Sequence, residues 1–353
     1  MNKLKFLTLV LASIIFTGCE FPTEYETSTH FVPQQTPSVL SDIWTEIPVT
    51  VGADTTMPLE GVLTIPNDVQ NPPVVLLVHG TGPNDKNSTI FENTPFLDIA
   101  HGLADLGIAS LRYDKRTYAY PLKMLQYGTD LTLREEILDD VNSAIQFLLT
   151  QQDTVDTNKI FVLGHSQGGM LVPAIASEND TISGIISVAG TLRPLYEISY
   201  DQNHSLFENI NNNPDLYGED VVALVAEQMK QVEIDIEILR GDISDIPNDT
   251  VLMGLPAGYQ KSVKQYQGLN FVDKINVPML VLHGDADFQV TLPDFNLYER
   301  MLSGQVEATL IRYADLNHLM MESDYTKNIT EYQTKGTVSR EVIGDIAEWI
   351  FKN

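Results

Sequence analysis

Apolar residues recur along this chain in two alternating rhythms. Ile43 to Val51 and Leu59 to Ile65 alternate apolar and polar positions on either side of Gly52-Ala53-Asp54, which predicts an antiparallel edge hairpin. Pro73 to His79 is instead an unbroken apolar run, the pattern of a strand buried on both faces of a parallel sheet. Ile99 to Leu106 carries apolar residues at 99, 100, 103, 104 and 106, a helical spacing that Gly107 ends; Ile108 to Tyr113 then returns as a strand. Thr132-Leu133-Arg134-Glu135 is a capping box for a helix with apolar positions 133, 137, 138, 141, 144, 145 and 148. Further strands are predicted at Lys159 to Leu163, Ile182 to Ala189, Val277 to His283 and Ala308 to Tyr313. A helix follows the first of these, and an amphipathic one (Val342, Ile343, Ile346, Trp349, Ile350) closes the chain. Strands alternating with helices predict an α/β fold, a mostly parallel twisted sheet with helices on both faces.

Leu192 to Gly268 breaks this rhythm. It has no clear strand, many Asn, Asp and Glu residues, and helical stretches such as Val221 to Leu239. In an α/β layout an insertion here falls above the strand ends, where substrates bind, so residues 192–268 are expected to form a mostly helical cap. The competing expectation is a surface excursion without substrate contact.

Composition narrows the partners. A formal net charge of −27 over 353 residues leaves no basic stripe to neutralise phosphates, which argues against nucleic acid and against direct adhesion to anionic lipid. The N-terminus reads as an address. Lys3 and Lys5 precede an apolar stretch, Phe6 to Phe16, too short to span a bilayer. Thr17-Gly18-Cys19 then resembles a bacterial lipoprotein signal, with Phe16 where such signals carry Leu, Val or Ile. That resemblance implies cleavage before Cys19, acylation of Cys19, and a site in the cell envelope where the lipid is the sole membrane contact. The expected organisation is a signal at 1–18, a Thr/Pro/Glu/Ser-rich tether at 19–42 and one α/β domain at 43–353. Cys19 is the only cysteine, so no internal disulfide supports the fold.

The chemistry centres on Gly164-His165-Ser166-Gln167-Gly168, a G-x-S-x-G sequence between an apolar strand and a helix. Glycines two residues on either side of the serine permit a turn tight enough to lift its hydroxyl out of the sheet. A serine nucleophile needs a base and the base an orienting acid, in the chain order Ser, Asp or Glu, His. Downstream, the strand at 279–283 runs into a loop holding Asp285 and Asp287, and the strand at 308–313 is followed by Asn317-His318-Leu319. His318 is the candidate base. His79 and His283 end buried strands, His165 lies inside the elbow, His101 is on a helix, and His30 and His204 have no motif. Two backbone N–H groups should hold a developing oxyanion: that of Gln167 at the helix N-terminus, and that of Thr81 in the loop His79-Gly80-Thr81-Gly82-Pro83-Asn84-Asp85. The spacing of a phosphate-binding G-x-x-x-x-G-K-[ST] loop is not met there.

Taken together, His79 to Asp85, Tyr113-Asp114-Lys115-Arg116-Thr117, Gly164 to Met170, Asp287 to Thr291 and Leu316 to Leu319 resemble the EstD-type bacterial carboxylesterases of the α/β-hydrolase superfamily, from about residue 43 to the C-terminus. The resemblance implies a Ser166-His318-Asp287 triad, with Asp287 favoured over Asp285 by the pattern H-G-x-x-D-x-x-V. It also implies no metal or cofactor, and small-molecule esters with short acyl groups as substrates. Lys115 and Arg116 are expected in structural salt bridges rather than in steering acidic substrates. Rival functions are a serine peptidase, a thioesterase or acyltransferase on the same fold, and a non-catalytic surface binding protein. Such peptidases usually carry an N-terminal propeller, whereas about forty residues precede the first predicted strand; the intact Ser, Asp and His in order oppose the binding protein.

Overall fold

The computed structural model describes residues 39–304 and 307–353; the predicted signal, Cys19 and most of the tether lie outside them. The strands are β1 (Val39–Leu40), β2 (Trp44–Val51), β3 (Leu59–Pro66), β4 (Val74–Val78), β5 (Ala109–Tyr113), β6 (Ile160–His165) and β7 (Ile182–Val188), then β10 (Met279–Gly284) and β11 (Ala308–Tyr313). They form one nine-stranded sheet in the order β1-β2-β3-β5-β4-β6-β7-β10-β11. β1, β2, β3 and β5 pair antiparallel, and every pair from β5 onward is parallel. The tether prediction ran to residue 42, yet Val39 and Leu40 already pair with Glu46 and Thr45. A two-residue strand is too short to show alternation. Its turn is closed by Ser41 Oγ, which accepts the N–H of Ile43 at 3.1 Å and of Trp44 at 2.8 Å.

The core lies on both faces of the sheet, and the two-residue period of the strands sorts it. Val74, Leu76 and Val78 of β4, with Ile160 and Val162 of β6, face one layer; Val75, Leu77, Phe161 and Leu163 face the other. On the first face lie α4 (Asp139–Leu149) and α5 (Gln167–Glu178), through Val141, Ile145, Leu148, Leu171 and Val172. On the second lie α1 (Pro95–Asp105) and the C-terminal helix (Arg340–Lys352), through Phe96, Leu103, Ile346 and Trp349. α1 begins before the predicted position because Pro95 occupies its first turn, where a missing N–H costs nothing. Gly107, at φ 87°, ends it.

Two short helices follow β5, α2 (Arg116–Ala119) and α3 (Pro121–Leu125). At the predicted capping box, Thr132 N donates to Glu135 Oε2 at 3.0 Å and Thr132 Oγ1 accepts the N–H of Arg134 at 3.2 Å. The next turn, Arg134–Leu138, is wound as a π-helix before α4 begins. Glu136 and Asp140 both face inward from this stretch and are buried.

The 192–268 interval is mostly helical: α6 (Leu195–Asn212), α7 (Pro214–Tyr217), α8 (Glu219–Arg240) and α9 (Ala257–Tyr266). It also holds an antiparallel hairpin, β8 (Val251–Leu252) with β9 (Leu255–Pro256), where the sequence showed no strand. Its two turn residues, Met253 and Gly254, sit at φ 48° and 79°, the left-handed pair of a tight hairpin turn. Met in place of the usual Asn or Asp hid that turn.

Candidate active site

Ser166 stands between β6 and α5 at φ 56°, ψ −116°, a backbone conformation that non-glycine residues rarely hold. Neighbouring backbone enforces it. A Cβ on Gly164 would lie 2.2 Å from the carbonyl carbon of Gly168, and one on Gly168 would lie 2.4 Å from the Val78 carbonyl oxygen. Only glycine at both positions lets the helix start so close to the strand ends. Ser166 N–H donates to the Val188 carbonyl at 2.9 Å, which fixes the turn to β7.

The loop after β10 carries both acidic candidates, and the structure brings Asp287 to His318. Asp287 Oδ2 accepts from His318 Nδ1 at 2.7 Å, while Asp287 Oδ1 accepts the N–H groups of Gln289 at 2.7 Å and Val290 at 3.0 Å. Both side chains are buried. Asp285 points elsewhere, into a two-bond pair with Arg312 at 2.8 and 2.7 Å near the surface. With Nδ1 occupied, His318 Nε2 is hydrogen-bonded by no group among the described residues.

His165, set aside in the sequence as an elbow residue, supports His318 from below. Its Nε2 donates to the His318 carbonyl at 2.8 Å, and the two rings lie 4.8 Å apart. Burial, with His318 nearby, pushes the His165 pKa down to about 3, so the ring is a neutral donor at ordinary pH. Nothing in the G-x-S-x-G motif marks that second position.

The loop from His79 to Asp85 packs against the elbow, a Cβ on Gly80 falling 3.1 Å from the Ser166 Cβ. Asn84 Nδ2 gathers the carbonyls of Thr81 at 3.0 Å and Gly82 at 3.1 Å. Thr81 N–H has no acceptor among the described residues, and Gln167 is the first residue of α5, whose N–H has none within the helix. Thr81, Ser166 and Gln167 line one pocket. Leu195, Ile198 and Gln202 of α6 form its opposite wall, so the cap contributes to the site, and none of the lining residues is charged.

The Tyr113 to Thr117 block holds the same loop from behind. His79 Nε2 donates to the Tyr113 carbonyl at 2.5 Å, and Lys115 N–H donates to the Asn84 carbonyl at 2.9 Å. Asp114 accepts the N–H of Lys86 at 2.7 Å. Lys115 Nζ pairs with Glu136 at 2.6 Å, and Arg116 forms a buried pair with Asp140. Both side chains are thus held in buried salt bridges, as expected.

The strand order, the parallel half covered on both faces and the serine turn at the end of β6 define the α/β-hydrolase superfamily. Within it the chain belongs to the BD-FAE family, whose sequence profile matches residues 63–301. Esterase EstD of Thermotoga maritima is 34% identical over 299 residues, 83% of this chain and 66% of that protein. Among solved structures, Est1E from Butyrivibrio proteoclasticus superimposes with a TM-score of 0.52 at 20% identity, over 86% of this chain and 98% of that one. Dipeptidyl peptidase 4 of Porphyromonas gingivalis reaches 0.53 at 17% identity, over 88% of this chain and 36% of that one.

Proposed function

We propose that this protein is a serine carboxylesterase acting on small, neutral esters, with Ser166 as nucleophile, His318 as general base and Asp287 as its orienting acid. One observation carries the reading: Ser166 and the unengaged N–H groups of Thr81 and Gln167 share one neutral pocket, while His318, paired with Asp287, is tied to the elbow through His165. In the reaction His318 Nε2 takes the hydroxyl proton as Ser166 Oγ attacks the ester carbonyl carbon. Asp287 stabilises the imidazolium. The two backbone N–H groups hold the oxyanion, and the intermediate collapses by expelling the alcohol, which His318 protonates. Water, deprotonated by the same nitrogen, then attacks the acyl-serine carbonyl; the intermediate breaks its bond to Ser166 Oγ, which takes the proton back from His318, and the carboxylic acid leaves. The relationship to Esterase EstD favours ester over amide substrates.

The Ser166→Ala variant is the direct check. It should lose about 10⁴-fold or more of the rate on short p-nitrophenyl esters, and a fluorophosphonate should label the parent chain alone. Wild-type turnover by that variant would sink the assignment.

The proposal extends to location. Thr17-Gly18-Cys19 supports export and lipid attachment at Cys19, which holds the enzyme at the bacterial cell envelope. Cys19→Ser, expressed in a bacterium with lipoprotein processing, should move the enzyme from the membrane fraction to the soluble one. Unchanged membrane association refutes the anchor.

A further inference from the structure

Four buried polar side chains connect the two segments that supply the Thr81 and Gln167 N–H groups. Lys115 Nζ donates to the Gly80 carbonyl at 2.9 Å and to Glu136 Oε1 at 2.6 Å. Tyr259, from cap helix α9, donates its hydroxyl to Glu136 Oε2 at 2.5 Å, and Gln167 Nε2 donates to the Tyr259 oxygen at 3.1 Å. Each direction follows from the one before. An ionised carboxylate only accepts, so the single tyrosine proton goes to Glu136. The Tyr259 oxygen is then an acceptor, and Gln167 must present its NH₂ to it, leaving Gln167 Oε1 buried and without a partner. Burial keeps the Tyr259 pKa well above the ordinary tyrosine value, so the phenol remains a donor.

We propose that Lys115, Glu136 and Tyr259 are positioning residues that hold the Gly80–Gly82 loop and Gln167 at the separation an oxyanion requires, and that they make this separation depend on the seating of α9. The proposal rests on the assignment of Thr81 and Gln167 as oxyanion donors.

Three observations separate this role from mere support. A buried lysine–glutamate pair is a poor source of stability, because desolvating both charges offsets most of their attraction; apolar side chains of similar volume would serve at least as well. The network also borders a second pocket: Glu136 and Tyr259 line it together with Gly82, Leu131 and Leu255, so part of the network faces open space rather than packed side chains. Finally, α9 is seated on the main domain immediately beside Tyr259. A Cβ on Gly258 would lie 2.4 Å from the Thr129 carbonyl oxygen, and Ser262 Oγ accepts the Leu133 N–H at 3.1 Å. Tyr259 thus carries the place of the cap into the residue that follows the nucleophile.

Tyr259→Phe removes one oxygen and keeps the ring. With a short neutral ester, kcat should fall about 10- to 100-fold while KM changes by less than about twofold, because the loss falls on the transition state. Affinity for an alkyl boronic acid, which becomes tetrahedral on Ser166, should fall by the same factor as kcat. Glu136→Gln, which still accepts the tyrosine proton, should retain more activity than Glu136→Ala. Unchanged kcat in Tyr259→Phe overturns the proposal. So does a fall in kcat without a matching loss of boronate affinity, the signature of general destabilisation. Ser166→Ala, assayed alongside, separates the two levels: if it stays active the esterase assignment fails, and if it is dead while Tyr259→Phe is unimpaired only the network fails.

Discussion

At the scale of single residues the site is built on groups held in unfavourable states. Ser166 sits at positive φ, and two histidines around it are kept neutral by burial. The pKa of His79 is pushed down to about 4 and that of His165 to about 3, from an ordinary value of 6.5. Both rings donate from Nε2 to backbone carbonyls, of Tyr113 and His318 respectively. An unfolded chain takes up these protons near pH 6.5, whereas the folded protein refuses them until pH 4 or below. Between those limits the unfolded state binds more protons, so stability is full above pH 6.5 and is lost as pH falls toward 4 and then 3. Thermal unfolding followed from pH 7 to pH 4 should show the midpoint falling. His79→Gln, whose amide can donate to the same carbonyl, should flatten part of that slope. An identical slope in parent and variant would remove His79 from the account.

At the scale of elements, what was legible in the sequence is what burial writes into it. β4 and β6 are apolar at every turn because both faces are covered, and the odd and even residues of each go to different layers. The Ser166 turn was legible because its glycines answer to a steric demand. Less was legible wherever a partner comes from another element. Asp285 and Asp287 are the same residue type two positions apart, so only the resemblance favours Asp287; the physical difference is the register of β10 on β11, which sets His283 beside Arg312 and turns Asp285 toward that arginine. His165 supports a carbonyl 153 residues away. Glu136 looks like an ordinary first-turn carboxylate until the π-helical turn carries it inward to Lys115, and Tyr259 belongs to a cap whose docking no periodicity encodes. The Lys115 and Arg116 salt bridges were anticipated in kind, but their partners emerged only with the fold.

At the scale of the molecule, the site and the surface carry different electrostatics. The chain bears a formal net charge of −27, while among the described residues no charged one lines the pocket beside Ser166. Cations in the segments that flank the pocket are spoken for: Lys115 is buried against Glu136, and Arg193 is paired with Asp294 and Asp201. An anionic ester therefore meets repulsion on approach and no local cation on arrival, whereas a neutral ester meets neither. Raising ionic strength from 0.01 to 0.1 M shortens the screening length from about 30 Å to about 10 Å, which removes most of the long-range repulsion. Over that range kcat/KM for a monoanionic ester, such as the monomethyl ester of a dicarboxylic acid, should rise several-fold. The value for the matched neutral diester should stay constant, since nothing in its encounter depends on screening. A salt response shared equally by both esters would mean that salt acts on the protein rather than on the approach. A fall for the anionic ester would reveal a cation able to swing into the pocket, and would shift the substrate class from neutral to acidic esters.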